Sequence, residues 1–287
     1  MSEAVIGVIG GSGLYDIDGV DIVGEHAIET PFGAPSDVLL EARVDETTLF
    51  FLPRHGRGHR LSPSEINYRA NLWALRKLGC TDVLSISAVG SMREHIAPGH
   101  VVLPTQFIDR TVGRARTFFD DGIVAHVGFA DPISERVRSA ALAACEQVGA
   151  TVHSGGAYVC IEGPQFSTRA ESSLFRTWPD VAVIGMTNMP EARLAREAEL
   201  AYATLALVTD FDCWHEDEAD VTVEAVVATM HKNVRVAKQV IVALAQTPPS
   251  APCASHTALR HAVMTRSDAI TPDARARVAL FLSKYAL

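Results

Sequence analysis

Two carboxylates, Asp210 and Asp212, stand two residues apart in LVTDFDCW (207–214), where an apolar run reading as a buried strand ends. A carboxylate taken out of water needs a partner. Three readings fit the spacing. Asp-Phe-Asp can hold a metal ion, as in some sugar-nucleotide transferases. It can be an exposed acidic turn running into HEDEAD (215–220). Or it can read a base, since a carboxylate accepts from an exocyclic amine and a carboxylic acid donates to a ring nitrogen. A group of the last kind is a natural general acid for a departing purine.

A basic stretch offers the complementary chemistry. LPRHGRGHR (52–60) places Arg54, Arg57 and Arg60 with His55 and His59 directly after an apolar strand, in a chain of net charge −9. The planar fork of arginine suits phosphate, and a neighbouring histidine adds a donor. A solvated basic loop is the alternative. Metal binding by His55 and His59 needs a helix, which the two intervening glycines oppose. GGSGLY (10–15) lets backbone amides approach an anion or forms a plain tight turn. It matches neither a P-loop nor a dinucleotide fingerprint, because no Gly-Lys-Ser/Thr follows and Asp16 falls where the last glycine belongs. ISAVGSMRE (86–94) brings small residues, Ser87 and Ala88, to a further strand end, and GMTNMPE (185–191) sets Thr187 just before a helix start, where anions bind. Together Ser12, Arg54, His55, Ser87 and Thr187 form a candidate site for inorganic phosphate.

These residues must be positioned by alternating strands and helices. Strands are expected at 4–11, 20–29, 37–44, 48–56, 81–91, 100–104, 157–161, 181–189 and 201–210, and helices at 67–80, 134–150, 167–178 and 190–200. The third of these helices starts at Ser167 with Ala170 three residues on, so no full capping box is expected there, though Ser or Thr can still cap it. After the acidic loop, Val223, Val226, Val227, Met230, Val234, Ala237, Ile241 and Leu244 share one stripe of a helix. TPPSAPCASH (247–256), with three prolines, reads as a linker to a C-terminal helical tail, its helix at about 272–286. The alternation argues for one α/β domain over 1–287, a three-layer sandwich whose central mixed sheet is flanked by helices, with ligands beyond the carboxyl ends of its strands.

Composition narrows the classes. The chain has 287 residues, 48% hydrophobic and 21% charged, enough for a sizeable core. The acidic balance argues against nucleic acid or an anionic membrane as partner. No apolar run is long enough to span a membrane, and MSEAVIGVIGGSG does not resemble a signal peptide. Five cysteines with no C-x-x-C pair read as reduced thiols in a cytoplasm, with no zinc site signalled.

Over about residues 5–246, GVIGGSGL, TPFGAPSD, RHGRGH, NYRANLWALRKLGC, SAVGSMRE, PGHVVLPTQFIDRT, IEGPQFSTRAES, IGMTNMPE and TDFDCW follow in an order that resembles the trimeric class of the purine nucleoside phosphorylase family. Within that class the likeness is to the branch cleaving 5′-methylthioadenosine. The resemblance implies reversible phosphorolysis to adenine and 5-methylthioribose 1-phosphate, with inorganic phosphate as co-substrate and no metal or organic cofactor. It implies a phosphate site of Ser12, Arg54, His55, Ser87, the Ala88 backbone and Thr187. Met186 would pack on the ribose, Phe166 would lie beside the base, and Asp210 with Asp212 would read the 6-amino group and N7, Asp210 being catalytic. Val223 and Val227 would line a methylthio pocket. His126 would be lent to a neighbouring subunit, making the active form a homo-oligomer, a trimer or a hexamer. Branches that cleave 6-oxopurines carry Asn in place of Asp210 and Glu in place of Ser167, so the two residues here favour adenine over the alternative, a 6-oxopurine nucleoside or methylthioinosine. Gln165 and the Asn188-Met189 pair depart from the family pattern.

Overall fold

The computed structural model describes residues 4–11, 14, 20–215 and 223–285, with the side chains of 223–228 outside that description. Eleven strands form one sheet: β1 Ala4–Gly10, β2 Asp21–His26, β3 Leu39–Val44, β4 Thr47–Pro53, β5 Asp82–Ser91, β6 Val101–Leu103, β7 Gln106–Arg110, β8 Val152–Ser154, β9 Ala157–Ile161, β10 Val181–Gly185 and β11 Ala201–Asp210. Six α-helices accompany them: α1 Tyr68–Lys77, α2 Glu135–Gln147, α3 Arg169–Arg176, α4 Asn188–Glu197, α5 Val223–Gln246 and α6 Pro272–Leu282. The mixed sheet flanked by helices is the architecture expected from the sequence. β7 and β8 went unread because they are short and only partly buried, with no clean alternation to mark them.

The sheet forks at β5. Its first half pairs parallel with β1, Ile6 opposite Asp82 through Ile9 opposite Ser85. Its whole length pairs parallel with β11 on the other side. Past the end of β1 its last residues pair antiparallel with β10, Ile184 opposite Gly90. One branch continues through β10, β9 and β7, the other through β11, β6 and β8. A strand long enough to outrun its neighbour leaves a crevice at the fork, and Ser87, Ala88 and Asp210 lie along it.

Side chains alternate across the strands. Leu84 and Ile86 of β5 and Leu205 and Leu207 of β11 pack toward α2 and α5, meeting Ala141, Ala144, Ala237, Ile241 and Leu244. Val83, Val89, Ala206 and Val208 face a second core with α1 and α4 residues such as Leu72 and Leu194. Leu259, Ile270, Ala274, Val278 and Phe281 belong to that same core, so the segment after 256 is part of the fold and not an appended tail. The Glu199 carboxylate pins it, accepting from the Leu259 amide at 2.9 Å and the Tyr285 hydroxyl at 2.6 Å. α6 ends at Leu282, short of the expected 286.

α3 corrects one expectation. Its cap is Thr168, not Ser167, and Glu171 stands at the third helical position. Thr168 Oγ1 accepts from the Glu171 amide at 3.2 Å while Glu171 accepts from the Thr168 amide at 2.9 Å, a complete capping box. Ser167 is thereby released from capping.

Candidate active site

β4 delivers Arg54 to the crevice, its amide bonded to Gly10 O at 2.8 Å. The guanidinium is 2% exposed and holds the equally buried Glu191 of α4, Nε to Oε2 at 2.7 Å and Nη2 to Oε1 at 3.1 Å. Nη2 also meets Ser85 Oγ at 2.6 Å and Nη1 the Ile86 carbonyl at 3.1 Å. Burial works against the arginine's charge, but Glu191 outweighs it and holds its pKa above the ordinary value. The fork expected to grip an anion is thus occupied on its Nε and Nη2 edge and partly at Nη1, leaving one Nη1 hydrogen and a buried positive field.

His55 follows. Its Nδ1 lies 2.8 Å from the Leu61 carbonyl, so that nitrogen carries the hydrogen of a neutral ring. Burial, then the Arg54 charge, push its pKa down to about 4.

Because β10 runs antiparallel to β5, the chain beyond Gly185 turns back along Val89, Ala88 and Ser87, which carries Thr187 toward Ser87. Ser87 Oγ contacts Asn188 Oδ1 at 3.1 Å. The hydroxyls of Thr187 and Tyr158, 7% and 0% exposed residues, have no hydrogen-bond partner among the described residues. Buried hydroxyls rarely go unpaired. Tyr158 lies beside Ser87 and Thr187, and a Cβ on Gly185 would fall 2.0 Å from its oxygen. Ser87, Thr187 and Tyr158 thus bring three buried hydroxyls together.

The other half of the crevice holds the acids. A register shift between Val208 and Asp210 brings Asp210 opposite Gly90. A side chain at Gly90 would put its Cβ 2.9 Å from Asp210 Oδ1 and 3.2 Å from Asp212 Cβ, so glycine admits the pair. Asp210 Oδ1 accepts from the Asp212 amide at 2.8 Å and Oδ2 from Thr209 Oγ1 at 2.6 Å. Asp212 sits at φ +54°, in the left-handed region that aspartate tolerates, and accepts from Ser172 Oγ at 2.5 Å. Burial pushes its pKa up, against the Ser172 hydrogen bond, and Asp210 adds to the push. Cys213 Sγ donates to Ser167 O at 3.3 Å and ties the loop of Ser167 to the acids. Phe166 is 50% exposed and lines, with Arg110, Glu162, Gln165 and Ser167, an open cleft of about 350 Å³ beside them.

Met186 joins the two halves. Its carbonyl accepts from Arg114 Nη1 at 2.7 Å, and the same guanidinium holds the carbonyls of Met189 and Glu162, both at 2.6 Å. Gly163 leaves room for Met186, whose Sδ would be 2.5 Å from a Cβ there. His126 lies apart from these groups, in a second depression with Thr257, Arg260 and His261. Its amide donates to Ala262 O at 2.8 Å. Ser12 and the side chains of Val223 and Val227 lie outside the described residues.

Sequence reading missed Glu191, Arg114, Tyr158 and Ser172. Glu191 resembles any acid in a first helical turn, and nothing local tells that its turn is buried. Among the described residues no group of three His, Cys, Asp or Glu side chains could hold a metal ion.

Residues 5–246 match the phosphorylase superfamily. The chain is 54% identical to the S-methyl-5′-thioadenosine phosphorylase of Geobacter sulfurreducens over 99% of both proteins. It is 49% identical to that of Gloeobacter violaceus, over 99% of this chain and 96% of the relative. Among solved structures, a methylthioadenosine phosphorylase sourced from an antarctic soil metagenomic library superposes with a TM-score of 0.92 at 47% identity, over 98% of this chain and 100% of that one. The Schistosoma mansoni methylthioadenosine phosphorylase in complex with adenine does so with a TM-score of 0.83 at 36% identity, over 98% of each.

Proposed function

The chain belongs to the phosphorylase superfamily, and from that membership we infer that it is a pentosyltransferase catalysing the reversible phosphorolysis of 5′-methylthioadenosine to adenine and 5-methylthioribose 1-phosphate, a salvage reaction. The observation that carries the site assignment is the pairing of a fixed carboxylate with a cup of buried hydroxyls at the ends of adjoining strands. We assign catalysis to Asp210. The C1′–N9 bond breaks, its electrons pass to the purine, and Asp210, entering the step as the carboxylic acid, donates its proton from one oxygen to N7 while its other oxygen stays an acceptor for the 6-amino group, so the base leaves uncharged. Phosphate, in the cup of Ser87, Thr187 and Tyr158 with the Ala88 backbone, His55, the remaining Nη1 hydrogen of Arg54 and Ser12, captures C1′ from the opposite face of the sugar. Catalysis is positioning plus electrostatics, with no metal or organic cofactor in the scheme.

The base preference has the same physical root. Two hydrogen bonds hold Asp210 as an acceptor, which welcomes a 6-amino group and opposes a 6-oxo group. Asp212, Ser167 and Phe166 complete the base side, Met186 the ribose side, and Val223 with Val227 the methylthio side.

We further propose that the active form is a homotrimer. Phe166, 50% exposed, lines the open cleft, and Val112 and Leu174, 82% and 54% exposed, lie close in sequence to its lining residues Arg110 and Phe175, while Val124 and Met264, 46% and 63% exposed, accompany His126 elsewhere on the chain. Two different apolar faces suit a head-to-tail contact, which closes into a ring, better than a two-fold dimer. His126 then enters a neighbour's cleft. Five unpaired thiols suit a cytoplasmic enzyme, and no helix among the described residues is long and apolar enough to cross a membrane.

The deciding experiment is product analysis of 5′-methylthioadenosine with and without phosphate. Adenine and the sugar phosphate should form only with phosphate. Cleavage without phosphate would mean hydrolysis, and faster turnover of the 6-oxo analogue would overturn the base assignment.

A further inference from the structure

The proton positions around Ser87 can be worked out one from the next. Glu191, paired with Arg54, offers only acceptors. Ser85 Oγ and the Tyr202 hydroxyl lie 2.6 and 2.9 Å from its Oε1, so each spends its single hydrogen there. Thr204 Oγ1 spends its own on the Ser85 carbonyl, at 2.9 Å. These three oxygens face one end of the Asn188 side chain, at 3.2, 2.5 and 2.9 Å, with lone pairs alone. That end of the amide must be its NH2. The other end, 3.1 Å from Ser87 Oγ, is therefore the carbonyl, and Ser87 must donate to it. Asn188, Glu191, Ser85 and Thr204 are all 0% exposed, so these groups satisfy one another and not bulk solvent.

We propose that Asn188 holds Ser87 as a hydrogen-bond acceptor toward the bound anion, and that the site thereby selects an oxyanion carrying a proton over one carrying none. The inference rests on the reading that Ser87 lines the phosphate cup. Hydrogen phosphate and hydrogen arsenate each bring an O–H that Ser87 can accept. Sulfate presents only lone pairs. To donate to sulfate, Ser87 must turn its hydrogen away from the Asn188 carbonyl and leave a buried acceptor unpaired. Thr187 and Tyr158, whose hydroxyls stand beside Ser87 and each other, can turn to donate to any of the three anions, so they supply affinity without discrimination. Asn188 is a specificity-determining residue acting through Ser87.

The test is calorimetric titration of the nucleoside-free oligomer with phosphate, arsenate and sulfate, well above neutrality, where phosphate is mainly the dianion and matches sulfate in charge. The native protein should bind arsenate within a few-fold of phosphate and sulfate at least about tenfold more weakly, equivalent to about 1.4 kcal/mol. Ser87→Ala removes the opposing lone pairs, so the sulfate-to-phosphate ratio of Kd should fall at least about fivefold, mostly through weaker phosphate. Asn188→Ala frees Ser87 to turn and should lower the same ratio through tighter sulfate, with the melting temperature reporting folding. Equal binding of sulfate and phosphate by the native protein would overturn the proposal. So would a Ser87→Ala variant that loses both anions by the same factor, the result expected if Ser87 donates. Phosphorolysis assays are independent of these titrations, so a failure of the selectivity leaves the assigned reaction standing.

Discussion

The two halves of the crevice are built on opposite plans. On the anion side Arg54, Glu191, Asn188 and Ser85 are almost wholly buried and hydrogen-bonded to one another. On the base side Asp210 is half-buried, Phe166 is half exposed, Ser167 Oγ lacks a partner among the described residues, and the cleft stands open. The difference matches what each half is proposed to bind. A small anion needs a field and fixed proton positions, which a closed network supplies before binding. A flat base needs room to enter, and its recognition requires only a few aimed groups. The closed side should therefore answer mutation in stability, and the open side in turnover.

The largest expected effect tests the open side. Asp210→Asn should lower kcat for 5′-methylthioadenosine by about 10³-fold while leaving the melting temperature near native. A loss of folding together with activity would erase the contrast. Next comes the closed side. Glu191→Ala leaves Arg54 as an unpaired buried charge and should cost about 3–5 kcal/mol in urea unfolding. A cost near that of a surface substitution would mean that the network is not closed in solution.

A third measurement uses pH. His55 has its pKa pushed down to about 4 from an ordinary 6.5, first by burial and then by Arg54. Between those values the unfolded chain binds more protons at this residue, so its contribution is complete above 6.5 and is lost as pH falls toward 4. Glu197 works in the opposite sense. Burial pushes its carboxyl up to about 7 from 4.5, so its contribution is present below 4.5 and lost as pH rises through 7. His55→Asn should therefore flatten the acid-side fall of the melting temperature and leave the Glu197 slope. An unchanged acid limb would mean that His55 titrates normally. The smallest effect belongs again to the open side. Ser172→Ala removes the hydroxyl that steadies Asp212 and should cost about 1 kcal/mol, seen as a few-fold rise in nucleoside KM with phosphate KM unchanged.

How far the sequence led depended on the range of the interaction. Runs such as LAYATLALVTD carry their strand signal within ten residues, and the stripe at Val234, Ala237, Ile241 and Leu244 carries its helix signal. The strand ends that bear Arg54, Ser87, Thr187 and Asp210 follow from the same patterns. The proline-rich 247–256 misled, because punctuation in a chain says where an element stops and nothing about where the next one packs. Ser167 misled for a smaller reason: Thr168, one residue on, has the partner at the right spacing in Glu171.

The order of strands and helices, and the kinds of side chain at each strand's end, belonged to the sequence itself, because periodicity and turn chemistry act over a few residues. What only the tertiary structure decided was pairing over distance. Arg54 and Glu191 are 137 positions apart, and Ser87 and Asn188 are 101 apart. Whether a guanidinium is free or engaged, and which way a hydroxyl points, depends on partners that a linear pattern does not name. Those partners meet only because β5 outruns β1 and splits the sheet.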